Sequence, residues 1–146
     1  MRMGKVNPEL LAELERAARA LAERFPVKLV VLFGSVARGR ARRDSDIDVA
    51  ILVDPKRFDL DMAATLLGEA EALFPPGTNF ALLNRAGSLL LWQVAKWGVP
   101  LYESERGLFH EFQIQAFRRY LDDEKFRRAE AEAVRRFVEE GRRIGG

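Results

Sequence analysis

The chain has 146 residues, enough for one domain with a single buried core, and its content of 48% hydrophobic and 32% charged residues is typical of globular proteins. A net charge of +2 excludes the strong field of a general nucleic-acid or membrane binder, and the lack of cysteine excludes disulfides, thiol chemistry and cysteine-based zinc sites. Residues 1–11 lack the apolar segment of a secretion signal, and no apolar run is long enough to span a bilayer, so we expect a cytoplasmic protein.

The first part of the chain predicts a helix followed by two strands. Asn7-Pro8 is a typical helix start, and the apolar residues after it recur at three- and four-residue steps. Apolar runs at Val27 to Phe33 and at Asp46 to Val53 predict two buried strands. The small, basic and polar residues 34–45 between them could hold a short helix starting near Val36.

The middle of the chain continues this alternation. The patterns predict, in order, a helix at Asp59 to Phe74, a strand at Thr78 to Leu83, a helix at Gly87 to Trp97 and a strand at Val99 to Tyr102. We interpret Trp92 and Trp97 as core residues rather than as platforms for stacking a base. Strands alternating with helices predict an α/β (α+β) layer fold in which helices flank a mixed β-sheet.

The last forty residues are compatible with helix throughout, and we predict two helices divided near Asp122-Asp123. Their apolar residues form two stripes, one of Phe109, Phe112, Ala116 and Tyr120 and the other of Ile114, Phe117 and Leu121. A surface this wide is covered either by packing over the sheet or by a partner, including a second copy that would make a homo-oligomer. We interpret residues 1–104 as a core with an N-terminal helix and residues 105–146 as a helical extension of the same domain.

Gly34-Ser35 is a candidate phosphate-binding turn. It directly follows a buried strand and precedes a predicted helix start, where glycine allows close approach of a ligand and free amide groups attract an anion. The Ser35 hydroxyl adds a donor, and four arginines stand within the next eight residues, namely Arg38, Arg40, Arg42 and Arg43.

Asp46 and Asp48 are candidate metal ligands. Two residues apart on a predicted strand, their carboxylates would emerge on one face, about 6.5 Å apart along the chain. Two carboxylates this close repel each other, and strands disfavour aspartate. Magnesium would relieve both costs, since it takes a few carboxylate oxygens and completes its shell with water and substrate phosphates.

Residues 32–39, Leu-Phe-Gly-Ser-Val-Ala-Arg-Gly, and residues 44–48, Asp-Ser-Asp-Ile-Asp, resemble the signature of the DNA polymerase β-like nucleotidyltransferases, most closely of their minimal form, the MNT proteins. Residues 83–86 and 98–103 resemble later segments of that form. The resemblance implies the nucleotidyltransferase fold and Mg²⁺-dependent transfer of a nucleotidyl group, AMP from ATP or that of another nucleoside triphosphate, to an acceptor hydroxyl. It also implies that Gly34, Ser35, Arg38 and Ser45 bind the nucleotide, and that Asp46 and Asp48 are catalytic metal ligands.

One position departs from that family pattern. The family usually supplies a third carboxylate from the next strand, and the corresponding residue here is Asn79. An amide oxygen can ligate Mg²⁺ but carries no charge and takes no proton at neutral pH, and loss of a positioned base typically costs ~10²–10⁴-fold in rate. We therefore expect one Mg²⁺ or two, held by Asp46, Asp48 and the Asn79 amide. Other carboxylates follow the strand that carries the pair, at Asp54, Asp59 and Asp61.

The core and the C-terminal helices leave little chain for recognising an acceptor. In the minimal family, the resemblance implies, an all-helical HEPN partner fills this gap, often as an RNase toxin that the MNT protein neutralises, in some cases by transferring AMP to a tyrosine. Three functions remain open. They are an active nucleotidyltransferase acting on a partner protein or small acceptor, a catalytically weakened nucleotide-binding protein that neutralises its partner by contact, and a nucleic-acid-binding module. The acidic residues among the C-terminal arginines disfavour the last.

Overall fold

The computed structural model describes residues 6–39 and 46–145, with side chains described to residue 142. In those residues, helices alternate with strands as the sequence predicts. The elements are α1 (Pro8–Arg24), β1 (Val27–Phe33), α2 (Gly34–Ala37), β2 (Asp48–Val53), α3 (Leu60–Leu73), β3 (Asn79–Leu82), a 3₁₀ turn (Leu83–Arg85), α4 (Ser88–Trp97), β4 (Val99–Glu103) and α5 (Leu108–Gly145).

The first and third helices begin at side chains that accept a backbone hydrogen bond. The Asn7 side chain accepts from the Glu9 amide at 2.9 Å before α1, and the Asp59 side chain accepts from the Met62 amide at 2.8 Å before α3. Each satisfies an amide that would otherwise lack a partner in the first helical turn. Short-range sequence therefore decides where these helices start.

The strands described form one mixed sheet in the order β3-β2-β1-β4. β1 pairs antiparallel with β2 and with β4, whereas β2 pairs parallel with β3. The register places Phe33 opposite Asp48, and Asp48 opposite Asn79. The mixed sheet with flanking helices confirms the predicted fold class.

Helices cover both faces of the sheet. Residues of β1 alternate between the two sides, with Val30 and Leu32 packed in a core under α1 and α3, and Leu29 and Val31 packed in a second core under α4 and the start of α5. All four side chains are fully buried. This two-sided burial explains why β1 is apolar at every position except Lys28, instead of alternating with polar residues.

A close backbone contact holds the end of α4 against β1. A Cβ atom on Gly98 would collide with the Val94 carbonyl oxygen and with Val31 Cγ1. The residue that follows α4 must therefore be glycine for the helix to end this close to the strand. This contact fixes the last turn of α4, including Trp97, relative to the sheet.

The C-terminal segment is one continuous helix, so the predicted division near Asp122-Asp123 is wrong. Neither aspartate breaks a helix, since each costs only about 0.7 kcal/mol relative to alanine. Before these aspartates, Tyr120 packs on Trp92 of α4, and after them a Glu124–Arg128 ion pair of 2.5 Å spans the next turn. Both contacts support a continuous helix.

The two apolar stripes of α5 have different environments. Phe109 and Ala116 of the first stripe are buried, and Tyr120 stacks on Trp92 of α4 with ring centroids 5.8 Å apart. The second stripe, Ile114, Phe117 and Leu121, stays exposed at 39–44% of its surface, although Phe117 also touches Trp92. Packing over the sheet is thus confirmed for the first stripe alone.

Two boundaries near the predicted site differ from expectation. β2 begins at Asp48 rather than Asp46, and α2 begins at Gly34 rather than near Val36. Both differences have one cause. β1 ends at Phe33 because the chain turns directly into α2, so residues before Asp48 have no strand beside them on that side.

No helix in the described ranges, 6–39 and 46–145, combines the length and hydropathy needed to cross a bilayer.

Candidate functional site

The candidate site lies where β1 runs into α2, beside the first residue of β2. Gly34 has φ +76°, a conformation that residues with a side chain rarely adopt. A Cβ atom at Gly34 would collide with the Asp48 carboxylate, whose Cγ would lie 3.2 Å away. Glycine is therefore required both for the turn and for the close approach of the backbone to Asp48.

The register of the sheet gathers polar side chains around Asp48. The parallel pairing of β2 and β3 puts Asn79 directly beside it, and the Asn79 amide nitrogen lies 3.2 Å from Asp48 Oδ1 as a donor. The Asn79 backbone amide donates to the Ile47 carbonyl at 2.8 Å, which anchors the segment between Asp46 and Asp48. Asp46 is exposed and Asp48 is half-buried.

The oxygen atoms of these side chains suit Mg²⁺ better than a metal ion that takes all of its ligands from the protein. Within the described residues, no group of three or more histidine, cysteine, aspartate or glutamate side chains is placed to hold a metal ion. Mg²⁺ is commonly held by one or two carboxylates plus substrate phosphates and water. Asp46 and Asp48, with the Asn79 amide oxygen after rotation of that group, offer this kind of incomplete shell.

Asn84 closes the opposite end of β2. Its side-chain oxygen accepts from the Val53 amide at 2.9 Å, and its side-chain nitrogen donates to the Val53 carbonyl at 2.8 Å. Both polar groups of the last β2 residue are satisfied by this one side chain. The clamp secures the turn after β3, and thereby the register that places Asn79 beside Asp48.

A cleft of about 180 Å³ opens beside Gly34. It is lined by Phe33, Gly34, Arg38, Gln93 and Trp97. The Arg38 guanidinium carbon lies 4.3 Å from the centroid of the Trp97 ring, within range of a cation–π interaction. Gly34 thus borders both a cleft that contains a guanidinium and the Asp48 carboxylate, an arrangement that can hold a metal ion together with an anion.

Trp97 and Gln93 are the residues that sequence reasoning missed. Trp97 lines this cleft instead of lying in the core, whereas Trp92 packs between α4 and α5 as expected. The four-residue spacing of Gln93 and Trp97 indicates that they share one face of α4. No local pattern indicates that this face meets Arg38.

The structure places the other predicted site residues as follows. Ser35 is half-buried on α2, next to Gly34. Asp54, at the far end of β2 from Asp48, accepts a hydrogen bond from the Lys56 amide, and Asp59 caps α3, so neither can act as a third carboxylate beside Asp48. Ser45 and the further arginines, Arg40, Arg42 and Arg43, lie outside the described residues.

The arginines of α5 have local acidic neighbours. Arg128 pairs with Glu124, and Arg135 and Arg136 both pair with Glu132. These pairs within one helix are typical of a solvated surface.

Comparison with known proteins gives one family and a set of related folds. A family model described as polymerase beta, nucleotidyltransferase, matches residues 15–107. A protein adenylyltransferase MntA from Aphanizomenon flos-aquae (strain 2012/KM1/D3) is 29% identical over 139 residues, which cover 88% of this chain and 93% of the relative.

Two solved structures illustrate the likeness in fold. A toxin–antitoxin structure with AMP-PNP superimposes with a TM-score of 0.65 at 24% identity, over 82% of this chain and 97% of that chain. A chain from a complex of the tri-AMPylated Shewanella oneidensis HEPN toxin with an MNT antitoxin gives a TM-score of 0.62 at 20% identity, over 86% of this chain and 96% of that one.

Proposed function

Since this chain belongs to the polymerase β nucleotidyltransferase family, we propose that it transfers AMP from ATP, in an Mg²⁺-dependent reaction, to a hydroxyl group of a partner protein. The partner we propose is a helical HEPN-type toxin, which the transfer neutralises in the cytoplasm. The observation that carries the proposal is the contact between the Gly34 turn and Asp48, because it joins a phosphate-binding turn to a metal-binding carboxylate in one site.

Each residue of the site has a role in this proposal. Gly34 and Ser35 bind the β- and γ-phosphates through the backbone and the hydroxyl group. Arg38, which lines the same cleft as Gly34, neutralises phosphate charge. Ser45 is proposed to bind the nucleotide from the segment before β2. Asp46, Asp48 and the Asn79 amide would hold Mg²⁺, which when bound polarises phosphate oxygens and lowers the barrier to displacement.

The proposed reaction is a substitution at the α-phosphorus of ATP. The acceptor oxygen forms a bond to that phosphorus, the bond to the bridging oxygen breaks, and pyrophosphate leaves. The acceptor loses a proton, which Asn79 cannot take. Asp46 and Asp48 are the carboxylates of this site that can receive it.

The nature of the acceptor is argued from the relatives. The MntA relative is a protein adenylyltransferase, and the structural matches include an AMPylated HEPN toxin with its MNT antitoxin. This chain covers nearly the full length of both. A protein acceptor therefore fits this chain better than a small molecule.

Asn79 supports a second candidate function. It occupies the register position beside Asp48, where it contributes an uncharged amide. A site with two carboxylates could hold Mg²⁺ and ATP while catalysing transfer slowly. In that case the protein would silence its partner by forming a complex, with the nucleotide as a structural ligand.

The test is transfer of label from ATP that is radioactive in its α-phosphate to the proposed HEPN-type partner, in the presence of Mg²⁺. We expect label on the partner, and we expect Asp48→Ala to lower the initial rate at least about 100-fold because it removes a metal ligand. Asp54→Ala is the matched control, since it removes the same side chain from the residue that directly follows the opposite end of the strand. It should transfer label at the rate of the unmodified chain.

The outcomes separate the two functions. Label that depends on Asp48 and not on Asp54 supports the enzyme. A stable, silenced complex that never becomes labelled would refute the transferase and favour neutralisation by contact.

A further inference from the structure

We propose that Trp97 is a positioning residue that holds the Arg38 guanidinium in place for the triphosphate of the nucleotide. The inference rests on the proposed function, because it assigns a role within the same site. It goes beyond that function by assigning a role to Trp97, which the proposed reaction does not use.

The geometry of Arg38 indicates a side chain that is held but not satisfied. Its guanidinium carbon lies 4.3 Å from the Trp97 ring centroid. Its Nε is buried and, within the part of the chain that the structure describes, has no hydrogen-bond partner. A buried donor without a partner is costly, and a ligand oxygen removes that cost only when the Arg38 side chain shifts on binding to expose Nε.

Trp97 is a rigid platform for this guanidinium. It is the last residue of α4, and the following Gly98 makes the close contact with Val31 and Val94 that fixes the end of this helix on the sheet. Arginine has many rotamers, and ordering them opposes binding. A ring that already holds the guanidinium reduces this cost before the ligand arrives.

The charges around the ring favour a polyanion. Lys96 Nζ lies 5.0 Å from the same ring centroid, so two cations approach one aromatic side chain. The Asp48 carboxylate lies against Gly34, which also lines the cleft. A ligand that presents several negative oxygens to Arg38 and an Mg²⁺ ion to Asp48 complements both side chains, and an Mg²⁺–triphosphate group has this composition.

The test compares ATP with inorganic tripolyphosphate, which has the phosphates but no base or sugar. In the presence of Mg²⁺, we expect Trp97→Leu to weaken binding of both ligands by the same factor, roughly 5- to 30-fold, the factor of a partly desolvated cation–π interaction. Trp97→Phe, which keeps an aromatic face, should recover most of the affinity. Trp97→Met replaces the leucine variant if that protein does not fold.

A second measurement links the effect to Arg38. In an Arg38→Gln background, Trp97→Leu should cause little further loss, because the group that it positions is already gone. A spectroscopic readout uses the presence of only two tryptophans in the chain. Trp92→Phe leaves Trp97 as the single emitter, and tripolyphosphate should change its fluorescence, whereas the emission of Trp92 in Trp97→Phe should stay constant.

Each outcome is decisive. Loss of ATP binding with unchanged tripolyphosphate binding would mean that Trp97 stacks on the base, and would overturn the inference. Fully additive effects of the Arg38 and Trp97 variants would also overturn it. If the unmodified protein binds ATP and tripolyphosphate and Trp97→Leu binds them equally well, this inference fails while the proposed function stands. If the unmodified protein binds neither ligand, both fail.

Discussion

Asn79 is the residue that bears most on the choice between the two proposed functions. It lies beside Asp48 in the parallel register and donates a hydrogen bond to that carboxylate at 3.2 Å. In this position the amide stabilises Asp48 without any metal. The same amide can also offer its oxygen to Mg²⁺ only if it turns away from Asp48.

We predict that Asn79→Asp makes the stability of the protein dependent on Mg²⁺. Without metal, the new carboxylate faces Asp48 at hydrogen-bonding distance, and repulsion in this exposed site should cost about 1 kcal/mol, a few degrees in Tm. With Mg²⁺, three carboxylates should bind the ion more tightly and raise the transfer rate. Thermal unfolding in EDTA and in Mg²⁺ measures the first effect, and labelled transfer measures the second.

Asn79→Ala is the control for this prediction, since it removes the amide without adding charge. Its Tm should respond to Mg²⁺ no more than that of the unmodified chain. If the Tm of Asn79→Asp does not change with Mg²⁺, the metal does not lie between the side chains of residue 79 and Asp48.

Gly34 permits a second test at the scale of one residue. Gly34→Ala and Gly77→Ala both place a side chain at positive φ, which costs about 1–2 kcal/mol. A Cβ at Gly77 meets nothing within 4 Å, whereas a Cβ at Gly34 displaces the Asp48 carboxylate. We predict similar losses in urea unfolding for the two variants, and loss of Mg²⁺–ATP binding for Gly34→Ala alone. Equal ATP affinity in both variants would show that the contact between Gly34 and Asp48 is unimportant for the site.

Among the elements, the pairing of β2 with β3 decides the composition of the site. Asn84 holds the far end of β2 through both of its side-chain polar groups. Asn84 lies beside Val53, and the same parallel register places Asn79 beside Asp48 at the other end of β2. The sequence contains both asparagines, but nothing local to either one indicates that they act on the same strand.

The helix α5 divides into a packed part and a part that extends beyond the sheet. In its first turns, Phe109 and Ala116 are buried in the core. The Gln113 side-chain amide donates a hydrogen bond to the Ala95 carbonyl at 2.9 Å. Farther along, Phe126 and Phe137 are exposed at 68% and 77% of their surface. The family match ends at residue 107, so the whole helix follows the matched region.

We predict that removing residues 125–146 leaves the domain folded. The deleted residues that the structure describes lie outside both hydrophobic cores, so Tm should change by only a few degrees, and Mg²⁺–ATP affinity should stay the same. Removal from residue 115 onward, which deletes Ala116 and Tyr120, should by contrast destabilise the protein strongly. A large loss of Tm in the shorter truncation would mean that the exposed part of α5 stabilises the domain.

At the scale of the whole molecule, we propose that residues 1–104 form the catalytic core and residues 105–146 a helical extension of the same domain. The packed turns of α5 support the single domain, since they complete the second hydrophobic core together with α4. The site lies at one end of the two central strands, where the turn from β1 into α2 meets the start of β2.

The sequence by itself determined the elements and the centre of the site. Helix caps, apolar runs and the Gly34-Ser35 and Asp46-Ile47-Asp48 segments are properties of neighbouring residues, so they are readable without the fold. Tertiary structure alone decided the parallel pairing that sets Asn79 against Asp48 and the contact of Arg38 with Trp97. These features depend on contacts between residues distant in the chain, whose energies no local pattern encodes.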